Sequence, residues 1–287
     1  MYEIHSEAFR TPNGTPYLQK PGVVMIGMPV VNLERVRGFL DGFDPELGFQ
    51  SYLEDNPFGL PPSERLCKFA GQLCYMSMGP QRTMNAEADK YLENIKSSGH
   101  GSVLEHANFS FLFYGTSRSM THELVRHRAG FAYSQVSQRY VDGKALRFVE
   151  RPEDAADPEL HARFMARIDR AAKEYEEKAQ RLLALQKEGS AIMGGEAKRD
   201  RRKKVNQSAR SLLPNETEAP IVTTANVRAW RHFLEMRASE HAEVEIRELA
   251  FRAFLCLRHA APILFNDYQE KELSDGTKAL ETKYRKV

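Results

Sequence analysis

Between Asn108 and Phe113 the chain alternates as Asn-Phe-Ser-Phe-Leu-Phe and puts three phenylalanines on one side, the period of a strand with one buried face. Gly115-Thr116-Ser117 follows, with hydroxyls able to cap a helix, and Met120, Leu124 and Val125 then recur at helical spacing. Strand, turn and helix thus lead into Arg126-His127-Arg128. Upstream, helical patterns run from Ser63 to Cys74 and from Met84 to Ile95, the second ending near Ser98-Gly99. Downstream, Asp157 is an N-cap and Pro158 a first helical residue for a segment whose Leu160, Phe164, Ile168, Ala172, Tyr175, Ala179 and Leu182 form one apolar stripe before Gly189. A last helical region is expected from about Asn226 to Ala260 on Trp230, Leu234, Ile246, Leu249, Ala253 and Leu257. Arg237, His241 and Glu245 lie four residues apart in it and so are expected to line one stripe of its surface. Up to about residue 65 the chain is rich in Gly and Pro, with one strand-like run from Val23 to Val31.

No internal repeat or low-complexity linker breaks this pattern. One domain over residues 61–270 is therefore expected, after an irregular lead-in over 1–60 and before a tail over 271–287. With 287 residues, 41% hydrophobic, the chain can bury a substantial core. Its 41 Lys and Arg against 39 Asp and Glu leave a net charge of +2, which supplies no global attraction for nucleic acid. Any anion recognition must be local. Lys198 to Lys204 is almost entirely basic and reads as a solvated loop, with a phosphate or folate contact as the alternative. Cys67, Cys74 and Cys256 form no CxxC or Cys/His spacing, so no metal site is expected and a reducing cytoplasm fits. The start, Met1 to Arg10, has no basic region followed by an apolar run, and Val23 to Val31 is too short to span a bilayer, so no membrane partner is expected.

Three neighbouring segments carry the candidate chemistry: Gly99-His100-Gly101-Ser102-Val103-Leu104-Glu105-His106, Arg126-His127-Arg128, and Ser134-Gln135-Val136-Ser137-Gln138-Arg139-Tyr140. Singly, an Arg-His-Arg triplet reads as a solvated helix end and a Ser/Gln run as a loop. Together they offer guanidinium forks for phosphate or carbonyl oxygens, imidazoles, and amides and hydroxyls able to read the edge of a base. No GxGxxG follows a strand, so a Rossmann dinucleotide site is not supported. A hydrolase using Ser137 with His127 lacks a nucleophile-elbow pattern and an orienting acid. A nucleic-acid-binding protein would rest on the basic run alone.

The combination resembles the signature region of flavin-dependent thymidylate synthases, where Arg-His-Arg is followed by a Ser and then an Arg-Tyr pair. Here eight residues, Ala129 to Val136, separate Arg128 from Ser137, one more than the family pattern has. The resemblance continues in Ala209-Arg210-Ser211-Leu212-Leu213-Pro214, in Asn226-Val227-Arg228 and in the run from Leu234 to Ile246, and covers roughly Leu66 to Arg258. It implies an α/β (α+β) fold with a central sheet flanked by helices, and a homotetramer that binds FAD across subunit interfaces. Ser102, Glu105, Arg126, His127, Arg128 and His232 would contact FAD, with Asn226 and Arg228 reaching it from a neighbouring subunit. His100 would sit near the reactive edge of the flavin, and His241 near flavin and folate. The nucleotide would be held by Gln135, Val136, Ser137, Gln138, Arg139, Arg210 and Arg237. Glu123 stands where relatives commonly have Gln, and Gln135 where they commonly have an acid, so a compensating pair in one substrate pocket is expected. The implied reaction is C5-methylation of dUMP to dTMP, with methylenetetrahydrofolate giving the carbon and NADPH reducing FAD. The alternative is the same chemistry on UMP.

Overall fold

The computed structural model describes residues 1–55, 59–141, 143–193, 198–285 and 287. Its strands are β1 (Glu3–Ile4), β2 (Ala8–Arg10), β3 (Pro16–Leu18), β4 (Gly22–Gly27), β5 (Asn108–Tyr114), β6 (Phe131–Gln135), β7 (Phe148–Val149), β8 (Ile221–Asn226), β9 (Gln269–Glu272) and β10 (Lys278–Glu281). Its α-helices are α1 (Arg37–Leu40), α2 (Pro62–Cys74), α3 (Ala88–Ser97), α4 (Arg118–Leu124), α5 (Pro152–Ala156), α6 (Pro158–Lys187), α7 (Lys198–Ala209), α8 (Val227–Arg237), α9 (Val244–Ala260) and α10 (Pro262–Phe265). The main sheet has the order β1-β4-β5-β8-β6, with every neighbouring pair antiparallel. Such a sheet needs only one buried face.

That face is the one the alternation in β5 marks. Phe109, Phe111 and Phe113 are buried in one core with Ile221 and Ala225 of β8 and with apolar residues of α2, α3, α4, α8 and α9. Trp230 of α8 meets the rings of Phe111 and Phe113 edge-on, and its indole N–H donates to the Phe109 carbonyl at 3.3 Å. A smaller core joins Tyr17, Phe148, Phe164 and Ile168, where the long α6 covers the three-stranded sheet β2-β3-β7. The Asp157 side chain caps α6 by accepting from the Glu159 and Leu160 N–H groups, as its position before Pro158 implied.

Several expectations change. The lead-in over residues 1–60 supplies β1 to β4, two of which belong to the main sheet, because short strands are stabilised by pairing partners and not by their own pattern. The tail over 271–287 includes β10, which pairs with β9 as a hairpin, and Leu280 donates to the Ala238 carbonyl at 2.7 Å. The basic run is not a loop. It is the first part of α7, whose Val205 and Ala209 are buried. The last helical region is two helices, broken between Arg237 and Val244.

Candidate functional site

Helix α4 is held at both ends. Ser117 caps the helix by accepting from the Met120 N–H. Its own N–H and hydroxyl donate to the Glu245 carboxylate, at 2.6 and 2.7 Å. Glu245 is buried at the start of α9, and burial raises its pKa above the usual carboxylate range. It therefore does not line a stripe with Arg237 and His241, because the helix break turns it inward. At the other end of α4, the Tyr133 hydroxyl from β6 is within hydrogen-bond distance of two carbonyls, Leu124 at 2.9 Å and His127 at 2.7 Å. Neither Tyr133 nor Glu245 belongs to the motif positions matched to flavin or nucleotide. Their signal was a polar group at a strand or helix position facing the core.

The chain then turns sharply through Arg128-Ala129-Gly130-Phe131, closed by the Phe131 N–H on the Arg128 carbonyl at 3.1 Å. Gly130 has φ 75°, and a Cβ there would stand 2.9 Å from Asn226 Nδ2 and Ala229 Cβ. Both the conformation and the close approach call for glycine. This turn delivers the chain into β6, the edge strand beside β8.

His127 and Arg237, 110 residues apart, meet here. Arg237 Nε donates to His127 Nε2 at 2.9 Å, and its Nη1 donates to Glu123 Oε2 at 2.9 Å. A guanidinium can only donate, so His127 Nε2 must be unprotonated. Burial, then the charges of Arg237 and His232, lower the His127 pKa to about 4, which makes the ring neutral near pH 7. The ring is packed edge-on against Phe233 and lies 5.9 Å from that of His232. Arg126 approaches His122 at 3.3 Å, and both Arg126 and Arg128 are exposed.

A second group adjoins the turn. Asn226 ends β8 and caps α8 by accepting from the Ala229 N–H at 2.8 Å. Arg228 pairs with Glu105 at 2.6 Å. Its guanidinium lies over Gly101, where a Cβ would come within 2.8 Å of Nε. Ser102 and His100 flank this contact and are exposed. The third group follows β6. Gln135 donates to Thr121 Oγ1 of α4 at 3.3 Å, and Val136 N–H donates to the Pro220 carbonyl. The Ser137 hydroxyl accepts from the Arg139 N–H at 3.4 Å. Arg139 Nε donates to Gln207 of α7 at 3.1 Å, one turn before the half-buried Arg210. The side-chain amide nitrogen of the buried Gln138, Nε2, has no hydrogen-bond partner among the described residues. Gln138, Val136 and Arg147 line a cavity of about 270 Å³. A cleft of about 410 Å³ opens beside Gln135, Thr121 and His122.

Thus Glu123, His127, His232 and Arg237 come together, Glu105 joins Arg228, and the segment from Gln135 to Arg139 packs against α4 and α7. Glu123 and Gln135 bond to different partners, Arg237 and Thr121, and not to each other. His241 lies in the break between α8 and α9 with its side chain 88% exposed, away from the helical alignment expected for it. Among the described residues no group of His, Cys, Asp and Glu could hold a metal ion, and no helix is long and apolar enough to cross a membrane.

Residues 59–263 match a protein family described as thymidylate synthase complementing protein. The flavin-dependent thymidylate synthase of Mycolicibacterium gilvum is 47% identical over 213 residues, covering 74% of this chain and 82% of that one. The enzyme of the same name from Corynebacterium diphtheriae is 44% identical over 216 residues, covering 75% and 82%. Among solved structures, the UMP/dUMP methylase PolB of Streptomyces cacaoi, bound with 5-Br dUMP, superposes with a TM-score of 0.57. It covers 86% of this chain and 94% of its own at 18% identity, a likeness of fold.

Proposed function

Because the chain belongs to the flavin-dependent thymidylate synthase family, we propose that this methyltransferase converts dUMP to dTMP by FAD-dependent reductive methylation at C5. Methylenetetrahydrofolate is the carbon donor and NADPH the reductant in this reading. The observation that carries it is the hydrogen bond between His127 and Arg237. One residue comes from the Arg-His-Arg triplet matched to flavin and the other from the helix matched to nucleotide, so the two ligands would share a boundary there.

A bound flavin would supply the reducing electrons. The chain's residues bind and orient around it. Arg126, Arg128 and Arg228 offer guanidinium groups to a pyrophosphate, and all lie exposed or half-buried near the turn at Gly130. His100 and Ser102 stand on the same open surface as Glu105, and His232 is exposed beside His127. This openness supports a site completed by neighbouring subunits, as a homotetramer would provide. Gln138 Nε2, buried without an acceptor, fits a ligand oxygen, since an unpaired buried donor costs about 1–3 kcal/mol. With Gln135, Val136, Ser137, Arg139 and Arg210 it would hold the nucleotide. His241, free of packing, could close over flavin and folate. Two of the Arg237 N–H groups are engaged by protein, which leaves the rest of the fork for a pyrimidine carbonyl or an anion.

The deciding experiment is the absorption spectrum of the purified protein. It is expected to be yellow, with FAD released on denaturation. Protein that stays colourless after incubation with FAD and gel filtration would defeat the reading. Steady-state comparison of dUMP with UMP separates it from C5-methylation of UMP.

Ser137 is read as a nucleotide contact and not as a covalent nucleophile. A serine needs a base within hydrogen-bond reach to become one. Its hydroxyl accepts a backbone N–H, and the His127 Nε2 is occupied by Arg237. Ser137→Ala is expected to turn over more slowly, with weaker dUMP binding. A nucleotide adduct on Ser137, found by mass spectrometry of the parent protein, would overturn this assignment.

A further inference from the structure

We infer that Glu123 is a positioning residue that acts through Arg237, holding its guanidinium in the plane from which it meets the nucleotide. This rests on the reading of Arg237 as a nucleotide contact and adds to it the residue that sets its orientation.

A contact to Nε alone leaves a guanidinium free to swing about the bond that leads to it. His127 supplies only that contact. The carboxylate of Glu123, on Nη1 at 2.9 Å, supplies the second and fixes the plane. Acceptors on Nε and on Nη1, which lie on different sides of the fork, hold it at two separate nitrogens and leave the Nη2 N–H groups to meet a ligand. The supports are themselves held: Glu123 is in the last turn of α4, which Ser117 caps, and His127 is packed against Phe233. His127 cannot take over the second role, because it has one acceptor nitrogen and that is already in use. The neutral ring and the anionic carboxylate differ in kind. Among the described residues only Glu123 places a negative charge against Arg237, and it does so with the side chain 38% exposed, so the pair adds little to folding stability.

Two other roles would give the same contacts. Glu123 could compete with the nucleotide for Arg237, or it could be a bystander. The three differ in a double-mutant cycle on the FAD-loaded protein. If Glu123 positions Arg237, Glu123→Ala raises the dUMP Kd and KM about three- to tenfold. It then adds almost nothing to the loss already caused by Arg237→Ala, because the group it positions is gone. Glu123→Gln keeps an oxygen that accepts from Nη1 and recovers most of the affinity. FAD content and melting temperature should stay near the parental values in each Glu123 variant.

Tighter dUMP binding by Glu123→Ala would establish competition and overturn the inference. Unchanged binding, or losses that add fully to that of Arg237→Ala, would overturn it as well. A parent protein that binds FAD but neither dUMP nor UMP would instead defeat the reading of Arg237 itself.

Discussion

Protein carrying Arg237→Ala is expected to keep its flavin and to lose nucleotide affinity by about tenfold to a hundredfold. The expectation starts from the position of Arg237. It is the last residue of α8, partly buried, with Nε on His127 and Nη1 on Glu123. Fork geometry lets the remaining N–H groups meet a planar carbonyl or an anion, and a charge-assisted hydrogen bond of that kind contributes about 1.5–3 kcal/mol. That is the affinity ratio stated. Flavin binding is spared because the Arg-His-Arg segment has supports of its own. Tyr133 holds the His127 carbonyl, and Phe233 holds the ring. Removing Arg237 also removes one of the charges that lower the His127 pKa, so that pKa should rise from about 4, with burial still keeping it below the usual imidazole value. Titration of dUMP against FAD-loaded variant, with FAD content measured in parallel, is the check. An unchanged dUMP Kd would take Arg237 out of the nucleotide site.

What could be read from the sequence was what short-range physics determines. The alternation of Phe109, Phe111 and Phe113 named the core face of β5, and Asp157 before Pro158 named the start of α6. The break at Ala238 was not legible in the same way. Apolar spacing resumes at Ile246 as though the helix were continuous, and the carbonyl of Ala238 is taken by Leu280, a partner more than forty residues away. Glu243, whose side chain accepts from the Glu245 and Ile246 N–H groups, was the local sign of a new helix start. The basic run failed as a loop for a related reason. A helix polar almost all round has no stripe to read, and α7 is held by Val205, by Asn206 on the Val141 carbonyl and by Gln207 on Arg139. The candidate site divides likewise. Residue types and motif spacing identified its members, but the pairing of Arg237 with both His127 and Glu123 is a tertiary fact. The exchange between Glu123 and Gln135 does not by itself say which side chains they meet, because charge counting along a chain carries no contact information; they bond to Arg237 and Thr121.

Asp267 is where the largest loss of stability is expected, and it lies outside the candidate site. Its carboxylate, 1% exposed, receives both Arg231 Nη1 and Nη2 at 2.8 Å and Lys96 Nζ at 3.0 Å. Arg231 and Lys96 are themselves buried, so Asp267 is the negative charge shared by two cations inside the fold. Burial alone would raise its pKa. The hydrogen bonds and charge of Arg231, with Thr282 and Lys96, outweigh that and bring it down to about 2. Asp267→Ala would leave buried Arg231 without its paired carboxylate and Lys96 with only Glu93, at 3.3 Å, at a cost of about 3–5 kcal/mol. Asp267→Asn should lose less, because an amide oxygen still accepts one N–H. The same site fixes a pH dependence. A carboxylate whose folded pKa is depressed contributes stability that is fully present above its unfolded pKa, near 4, and is lost as pH falls through the folded value. Parent protein should therefore lose about 2 kcal/mol from this group between roughly pH 5 and pH 2, and Asp267→Asn should lack that part of the acid sensitivity. Denaturant midpoints at neutral and acid pH, compared between the two proteins, test both halves. Equal acid sensitivity in parent and Asp267→Asn would mean that the pairing of Asp267 with Arg231 and Lys96 does not drive acid unfolding.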